Sequence, residues 1–143
     1  QNVDDLHERA GSRDVIHMHG THLVALCADC GHRWPAPAEM GVEDACGQCG
    51  GPARPDVVWF GEAVPAIEEA AQLVGTADIF VIIGTSMNVY PAAGLIHYVQ
   101  DGVPIYVVDP AEIPLPDHTG ITVIREKAGQ GMKEIIRQLE DEA

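Results

Sequence analysis

The spacing of the four cysteines constrains this chain more than any other feature. Cys27 and Cys30 form one Cys-x-x-Cys pair, and Cys46 and Cys49 form a second pair after fifteen intervening residues. Glycines beside both pairs permit the close backbone approach that metal-binding turns need. The pattern predicts a four-cysteine zinc site in a small ribbon over residues 26 to 52. Disulfides or free thiols are the alternative, which this spacing disfavours in a cytosolic chain.

Four thiolates complete the tetrahedral shell of a zinc ion, so the predicted metal is structural and contributes to folding. Three histidines just upstream, His17, His19 and His22, are therefore not needed as ligands. His32 lies inside the ribbon and is a weaker alternative ligand in place of one cysteine.

Charge narrows the range of partners. The 143 residues, about one domain, contain 22 Asp and Glu against 8 Lys and Arg, a formal net charge of -14. Nucleic-acid binding depends on clustered basic side chains, so we expect no direct nucleic-acid partner and favour a basic protein or peptide. No apolar run is long enough for a membrane helix and no signal peptide is recognisable, which predicts a cytoplasmic protein with no membrane partner.

Beyond the ribbon, apolar residues alternate between strand-like runs and helix-like spacing. Strands are predicted within residues 57–60, 78–86, 103–110 and 120–124, with a further extended segment at 15–20. Helices are predicted at residues 65–75, 91–102 and 129–143, the last with Met132, Ile135, Ile136 and Leu139 on its apolar face. Strand, helix, strand with short links indicates a parallel α/β sheet, whose ligand edge is the carboxyl ends of its strands. The sequence Gly84-Thr85-Ser86 lies at such an end, although the same residues are also an ordinary helix cap.

Five segments occur in the order and spacing of one family: "QNVDDLHERAG", "VIHMHG", the four-cysteine ribbon, "RPDVVWFGE" and "GTSMNVYPAAG". Together they resemble the sirtuins, NAD-dependent protein-lysine deacylases, and are closest to the bacterial desuccinylase-like branch. The resemblance implies an α/β fold with an incomplete, parallel Rossmann-type sheet and a small zinc-ribbon subdomain. It divides the chain into a catalytic-histidine segment (1–25), the ribbon (26–52) and the remaining NAD-binding part (53–143).

The same resemblance implies a role for individual residues. His19, in the His-Gly motif with Gly20, would be the catalytic base. Acyl-lysine would meet Val58, Phe60, Gly61 and Glu62 by strand addition. Contacts with NAD would come from Gln1, Asn2, Asp4, Gly84, Thr85, Ser86, Asp109, Pro110, Ala111 and Ala128.

The implied reaction removes acetyl, and in this branch succinyl, groups from protein lysines, giving nicotinamide and O-acyl-ADP-ribose. His19 would take a proton from a ribose hydroxyl, a task that suits a group with a pKa near neutrality. Three residues depart from the family pattern. Thr21 and His22 stand where Glu and Leu are typical, and Asp109 stands where Asn is common. We expect His22 to be a surface or hinge residue, and His17 to flank the site on the extended segment.

The family's phosphate-binding loop and the residues that select the acyl group precede the position of Gln1. We therefore expect these 143 residues alone to bind NAD weakly and to turn over poorly or not at all. An exposed apolar sheet edge would also favour association with another chain. Two alternatives stay open: a shortened, non-catalytic zinc-ribbon module that binds acylated or basic peptides, and a zinc-ribbon scaffold that mediates assembly.

Overall fold

The computed structural model describes residues 1–117 and 120–141, and the last two residues of the predicted closing helix lie outside this range. The chain forms two compact units, Gln1–Ala66 and Ile67–Ala143. The three-part organisation implied by the resemblance stays a prediction. Each helix among the described residues is too short or too polar to traverse a bilayer.

The first unit is built on a three-stranded antiparallel sheet. A short helix, α1 (Leu6–Arg9), precedes β1 (Gly20–Cys27), which lies between β2 (Arg33–Pro35) and β3 (Ala53–Val57). The central strand buries Ala25 and Cys27 at its C-terminal end. Because it is paired on both edges there, β1 holds the first cysteine turn rigidly against the rest of the ribbon.

Two strand predictions in this unit are corrected by the structure. Residues 15–19 form tight turns, in which Met18 N–H donates to Ile16 C=O and Gly20 N–H donates to His17 C=O, and β1 starts only at Gly20. The strand expected at 57–60 lies instead at Ala53–Val57. Pro55 lies within β3, opposite Ala25, because the β1–β3 pairing shifts register between Thr21 and Ala25 and so accommodates a residue without an N–H.

The second unit contains the predicted parallel sheet, with β4 (Phe80–Ile83), β5 (Ile105–Val108) and β6 (Ile121–Ile124) in that order. Alternate residues of β5 serve two cores. Ile105 and Val107 pack with Ile96 on the face that carries α2 (Ile67–Val74) and a 3-10 helix (Ala92–Tyr98). Tyr106 and Val108 pack on the opposite face, against α3 (Ala128–Asp141). All four β5 residues are buried, as expected for the central strand of a covered sheet.

Some details of this unit differ from the pattern-based expectation. The segment expected as a helix over 91–102 forms a 3-10 helix that ends at Tyr98. Ile83 remains 40% exposed at the open end of β4, so that strand is not buried throughout. Ile136 is 51% exposed although it was placed on the apolar face of α3, because the sheet covers only the stripe through Ile135. The strand before α2 belongs to the antiparallel sheet of the first unit.

Two glycines of α3 provide a matched test of the packing between α3 and β5. A Cβ on Gly131 would lie 2.3 Å from Val108 Cγ1, whereas a Cβ on Gly129 would have nothing within 4 Å. Gly131→Ala should therefore lower the free energy of unfolding by about 1–3 kcal/mol through overpacking. Gly129→Ala should leave it unchanged or raise it by up to about 1 kcal/mol, because alanine favours helix. Denaturant unfolding of both variants measures the difference, and equal effects would contradict the proposed close approach.

Candidate metal centre and active site

The four cysteine sulfurs converge on one point. Their Sγ atoms all lie within 4.8 Å of one another, and Cys27–Cys49, Cys30–Cys49 and Cys30–Cys46 are 3.5, 3.4 and 3.7 Å apart. A zinc ion bound by four thiolates at about 2.3 Å requires sulfurs about 3.8 Å apart, whereas a disulfide requires about 2.05 Å. The cysteines are free thiols, and their sulfur–sulfur distances are close to those around a zinc ion. They therefore fit the predicted structural zinc and not a pair of disulfides.

Backbone N–H groups of the two turns point at the sulfurs. Cys30 N–H donates to Cys27 Sγ at 3.5 Å, and Gly51 N–H donates to Cys49 Sγ at 3.4 Å. The bond from Cys30 lowers the pKa of Cys27 to about 7. The pKa of Cys49 rises to about 12 even though the Gly51 N–H lowers it, because contacts with the Cys30 and Cys27 thiols outweigh that bond. Thiols this close cannot all ionise without a cation, and zinc replaces their protons.

His19 lies in the turn that leads into β1. Burial lowers the pKa of His19 from its ordinary value, and its Nδ1 is buried with no hydrogen-bond partner among the residues that the structure describes. The backbone of the same residue is held, because Val58 N–H donates to His19 C=O at 2.9 Å. A neutral imidazole is thus fixed at the start of the strand, and the neutral form is the one that can accept a proton.

The glycine after His19 is required by a backbone contact. A Cβ on Gly20 would lie 1.9 Å from Asp56 C=O, and Gly20 has a φ of +78°. Only glycine therefore allows the turn to rest against β3. His17, expected merely to flank the site, donates from Nε2 to the carboxylate of Glu8 and so connects the turn to α1.

The segment Gln1–Asp4 runs beside the beginning of β1. His22 is its anchor, since its backbone N–H and its ring Nδ1–H both donate to Val3 C=O, at 3.1 and 2.6 Å. Asp4 Oδ1 accepts from Leu6 N–H at 3.0 Å and begins α1. His22 is exposed, as expected of a surface residue, but its anchoring role was not predicted. Its departure from the family's Leu was the available signal, because Leu has no ring donor.

The predicted peptide-binding segment, Val58–Glu62, follows β3. Its Phe60 side chain is 96% exposed, and Gly61 has a φ of +88°. The carboxylate of Glu62 is already engaged, by Arg54 and by Trp59 N–H, and these bonds lower its pKa to about 2. Arg54 was missed by the sequence reasoning, because a single arginine in a strand carries no recognisable motif.

In the second unit, three predicted groups lie at one edge of the parallel sheet. Register places Ile83, Val108 and Ile124 side by side, so the three strands end together. Gly84 N–H donates to Val108 C=O at 3.0 Å, and Asp109 N–H donates to Ile124 C=O at 3.2 Å. The edge therefore carries Gly84, Thr85, Ser86, Asp109, Pro110 and Ala111, with Ala128 at the start of α3.

Asp109 shapes the turn that it begins. Its Oδ1 accepts from Ala111 N–H at 2.8 Å, a bond that Asn would form equally well. Replacing Asn with Asp therefore preserves the turn and changes only the charge and the donor at the second side-chain atom.

The sequence and fold of this chain are similar to those of known proteins. The family model described as "Sir2 family" matches residues 1–91. An "NAD-dependent protein deacylase" of Bacteroides thetaiotaomicron is 46% identical over 143 residues, covering 94% of this chain and 60% of the relative. A solved "Sir2 homolog-NAD complex" has a TM-score of 0.85 at 41% identity, covering 99% of this chain and 57% of that one. The solved structure of Sir2Tm "bound to a propionylated peptide" has a TM-score of 0.82 at 29% identity, covering 96% of this chain and 61% of that one. The chain spans about three fifths of the curated relatives it matches.

We expect the protein to contain one zinc ion per chain. Cys46→Ser should abolish zinc retention after dialysis against a weak chelator, because three thiolates leave the shell open. His32→Ala is the matched control within the ribbon and should retain the metal, since His32 stacks on Trp34 with ring centroids 5.4 Å apart and is not among the clustered ligands. Elemental analysis of both proteins provides the measurement. Zinc lost from His32→Ala, or kept by Cys46→Ser, would refute the four-cysteine assignment.

Proposed function

Because the chain belongs to the Sir2 family, we propose that the protein is an NAD-dependent protein-lysine deacylase. Its reaction removes acetyl groups, and as a second substrate class succinyl groups, from lysine side chains. The acyl group would pass to the ADP-ribose part of NAD as nicotinamide leaves, and one water is consumed, so the products are free lysine, nicotinamide and O-acyl-ADP-ribose. One observation supports this proposal above the others: the half-buried His19, whose Nδ1 is buried without a partner in the described chain.

His19 acts as the base. Burial lowers its pKa, so the ring is neutral at physiological pH and can take a proton from a ribose hydroxyl. Gly20 and the bond from Val58 N–H to His19 C=O hold the residue in place. The zinc does not take part in this chemistry, because the four cysteines fill its shell. It stabilises the ribbon into which β1 runs.

In the first unit, the proposed NAD contacts are Gln1, Asn2 and Asp4, on a segment that the bond between His22 and Val3 holds beside the start of β1. Residues 84–86, 109–111 and Ala128 occupy the carboxyl edge of the parallel sheet, where ligands bind in open α/β folds. Asp109 uses Oδ1 for its own turn, which leaves Oδ2 to accept from a ribose hydroxyl. The solved NAD complex of a Sir2 homologue supports this choice of cofactor.

The substrate is an acylated lysine in a protein or peptide. The propionylated-peptide complex of Sir2Tm supports an acylated peptide as the substrate. Val58, Phe60, Gly61 and Glu62 are the segment that we propose to receive it. The net charge of -14 favours basic sequences around the lysine. We place the reaction in the cytoplasm and the protein in the desuccinylase-like branch.

The first test measures nicotinamide release from NAD and an acetyl-lysine peptide by the full-length protein. His19→Ala should lower the rate at least about 100-fold, the usual loss on removing a general base. His97→Ala, which removes an exposed histidine from the 3-10 helix, should leave the rate unchanged. Peptide binding without nicotinamide release would instead favour the non-catalytic module. Equal rates from the parent and His19→Ala would exclude His19 as the base.

The pH dependence of kcat/KM follows from the lowered pKa of His19. The neutral, active form persists below the ordinary histidine value of 6.5, so the rate should fall only at a lower pH than an exposed histidine would impose. Stopped assays between pH 5 and 8, with zinc content checked at each pH, measure the profile. If kcat/KM instead fell with a midpoint above pH 6.5, that result would contradict a lowering of the His19 pKa by burial.

A further inference from the structure

We propose that Arg54 and Glu62 are positioning residues that hold the segment Val58–Gly61 in the shape that receives the acylated peptide. This inference rests on the proposed function. It assigns Glu62 a role different from direct contact with substrate, because its carboxylate is engaged by the protein itself. We call the Arg54–Glu62 pair, with its bonds to Val57 and Trp59, the loop clamp.

The loop clamp fastens the segment at several points. Arg54 Nη1 and Nη2 donate to the two oxygens of Glu62 at 2.6 and 2.9 Å, a two-pronged pairing. Arg54 Nη2 also donates to Val57 C=O at 2.7 Å, and Trp59 N–H donates to Glu62 Oε2 at 3.0 Å. The guanidinium carbon lies 4.2 Å from the centre of the Trp59 ring. One arginine thus connects the start, the middle and the end of the loop.

The loop clamp holds two aromatic side chains in exposed positions, which the hydrophobic effect by itself disfavours. Phe60 is 96% exposed and Trp59 is 56% exposed, so a free loop would fold these aromatic rings onto the sheet to remove them from water. The bond from Glu62 N–H to Trp59 C=O at 3.0 Å closes the turn and keeps Phe60 outward. Ordering the loop in advance reduces the entropy lost when a peptide binds.

Each part of the clamp requires its own residue type. Lysine would keep the charge of Arg54 but not the planar fork or the stacked face. Both oxygens of Glu62 already accept bonds from the protein, so little capacity remains for a substrate amide. The clamp is therefore expected to affect the peptide through the geometry of the loop.

The test compares steady-state kinetics of the full-length protein with Arg54→Met and Glu62→Gln. Each variant should raise KM for an acetyl-lysine peptide about tenfold, in the range expected for lost hydrogen bonds to a charged group. KM for NAD and kcat at saturating peptide should be unchanged. The double variant should be no worse than either single one, because the two residues act as a unit. Arg54→Lys should restore peptide binding only in part.

Arg33→Met is the matched control. Arg33 also pairs with a carboxylate of the same sheet, Asp56, at 2.6 Å, and among the described residues its side-chain hydrogen bonds go to Asp56 and not to the loop. A purely structural role would lower thermal stability and zinc content in the clamp variants and would change KM for NAD as much as KM for peptide. If Arg54→Met fails to fold, Glu62→Gln is decisive, since it keeps the side-chain shape and an acceptor for Trp59 N–H.

The outcomes separate the clamp from the function on which it rests. An unchanged peptide KM in a folded clamp variant of an active protein overturns the clamp alone. A peptide KM raised equally by Arg33→Met also overturns it. Absence of His19-dependent nicotinamide release from the parent protein overturns the proposed function, and the clamp inference with it.

Discussion

The pairing of β1 with β3 is the interaction on which the first unit depends. It places Gly20 opposite Val57 at one end and Cys27 opposite Ala53 at the other. His19 immediately precedes this ladder, and the first zinc ligand ends it. The loop clamp begins on β3, at Arg54. A single pair of strands therefore sets the spacing between the proposed base, the metal centre and the segment proposed to receive substrate.

The irregularity of that ladder is as informative as its regular part. Pro55 has no N–H to donate, and between Thr21 and Ala25 the register shifts. The released residues of β1 bond elsewhere: His22 N–H reaches Val3 C=O, and Leu23 C=O accepts from Ala36 N–H. A defect in strand pairing thus connects the Gln1–Asp4 segment to the sheet. This explains physically why a polar residue at position 22 is useful here.

The protonation of His19 is controlled by burial, whereas several other ionisable groups of this unit form ion pairs. In an acidic chain, Arg33 and Arg54 each pair with a carboxylate, and His17 pairs with Glu8. A backbone N–H bond and then the bond with His17 lower the pKa of Glu8, and the bonds from Arg54 and from the Trp59 N–H lower that of Glu62, so both carboxylates stay charged. His19 instead loses affinity for its proton through burial. Local pairing therefore limits how far the large negative charge of the chain can favour protonation of the proposed base.

Much was available from the sequence alone, because the deciding signals are local. The spacing of Cys27, Cys30, Cys46 and Cys49 predicts the metal centre, because two Cys-x-x-Cys turns can each direct two thiolates at one metal ion. Apolar runs predict the three parallel strands, and the motifs around His19 predict the family, which the comparisons confirm. Only the tertiary structure decided that residues 15–19 turn, that Pro55 lies within a strand, and that His22 and Arg54 hold neighbouring segments. The bond of His22 needs a partner distant in sequence, and the place of Pro55 in a strand needs a register shift, and neither leaves a periodic trace in the chain.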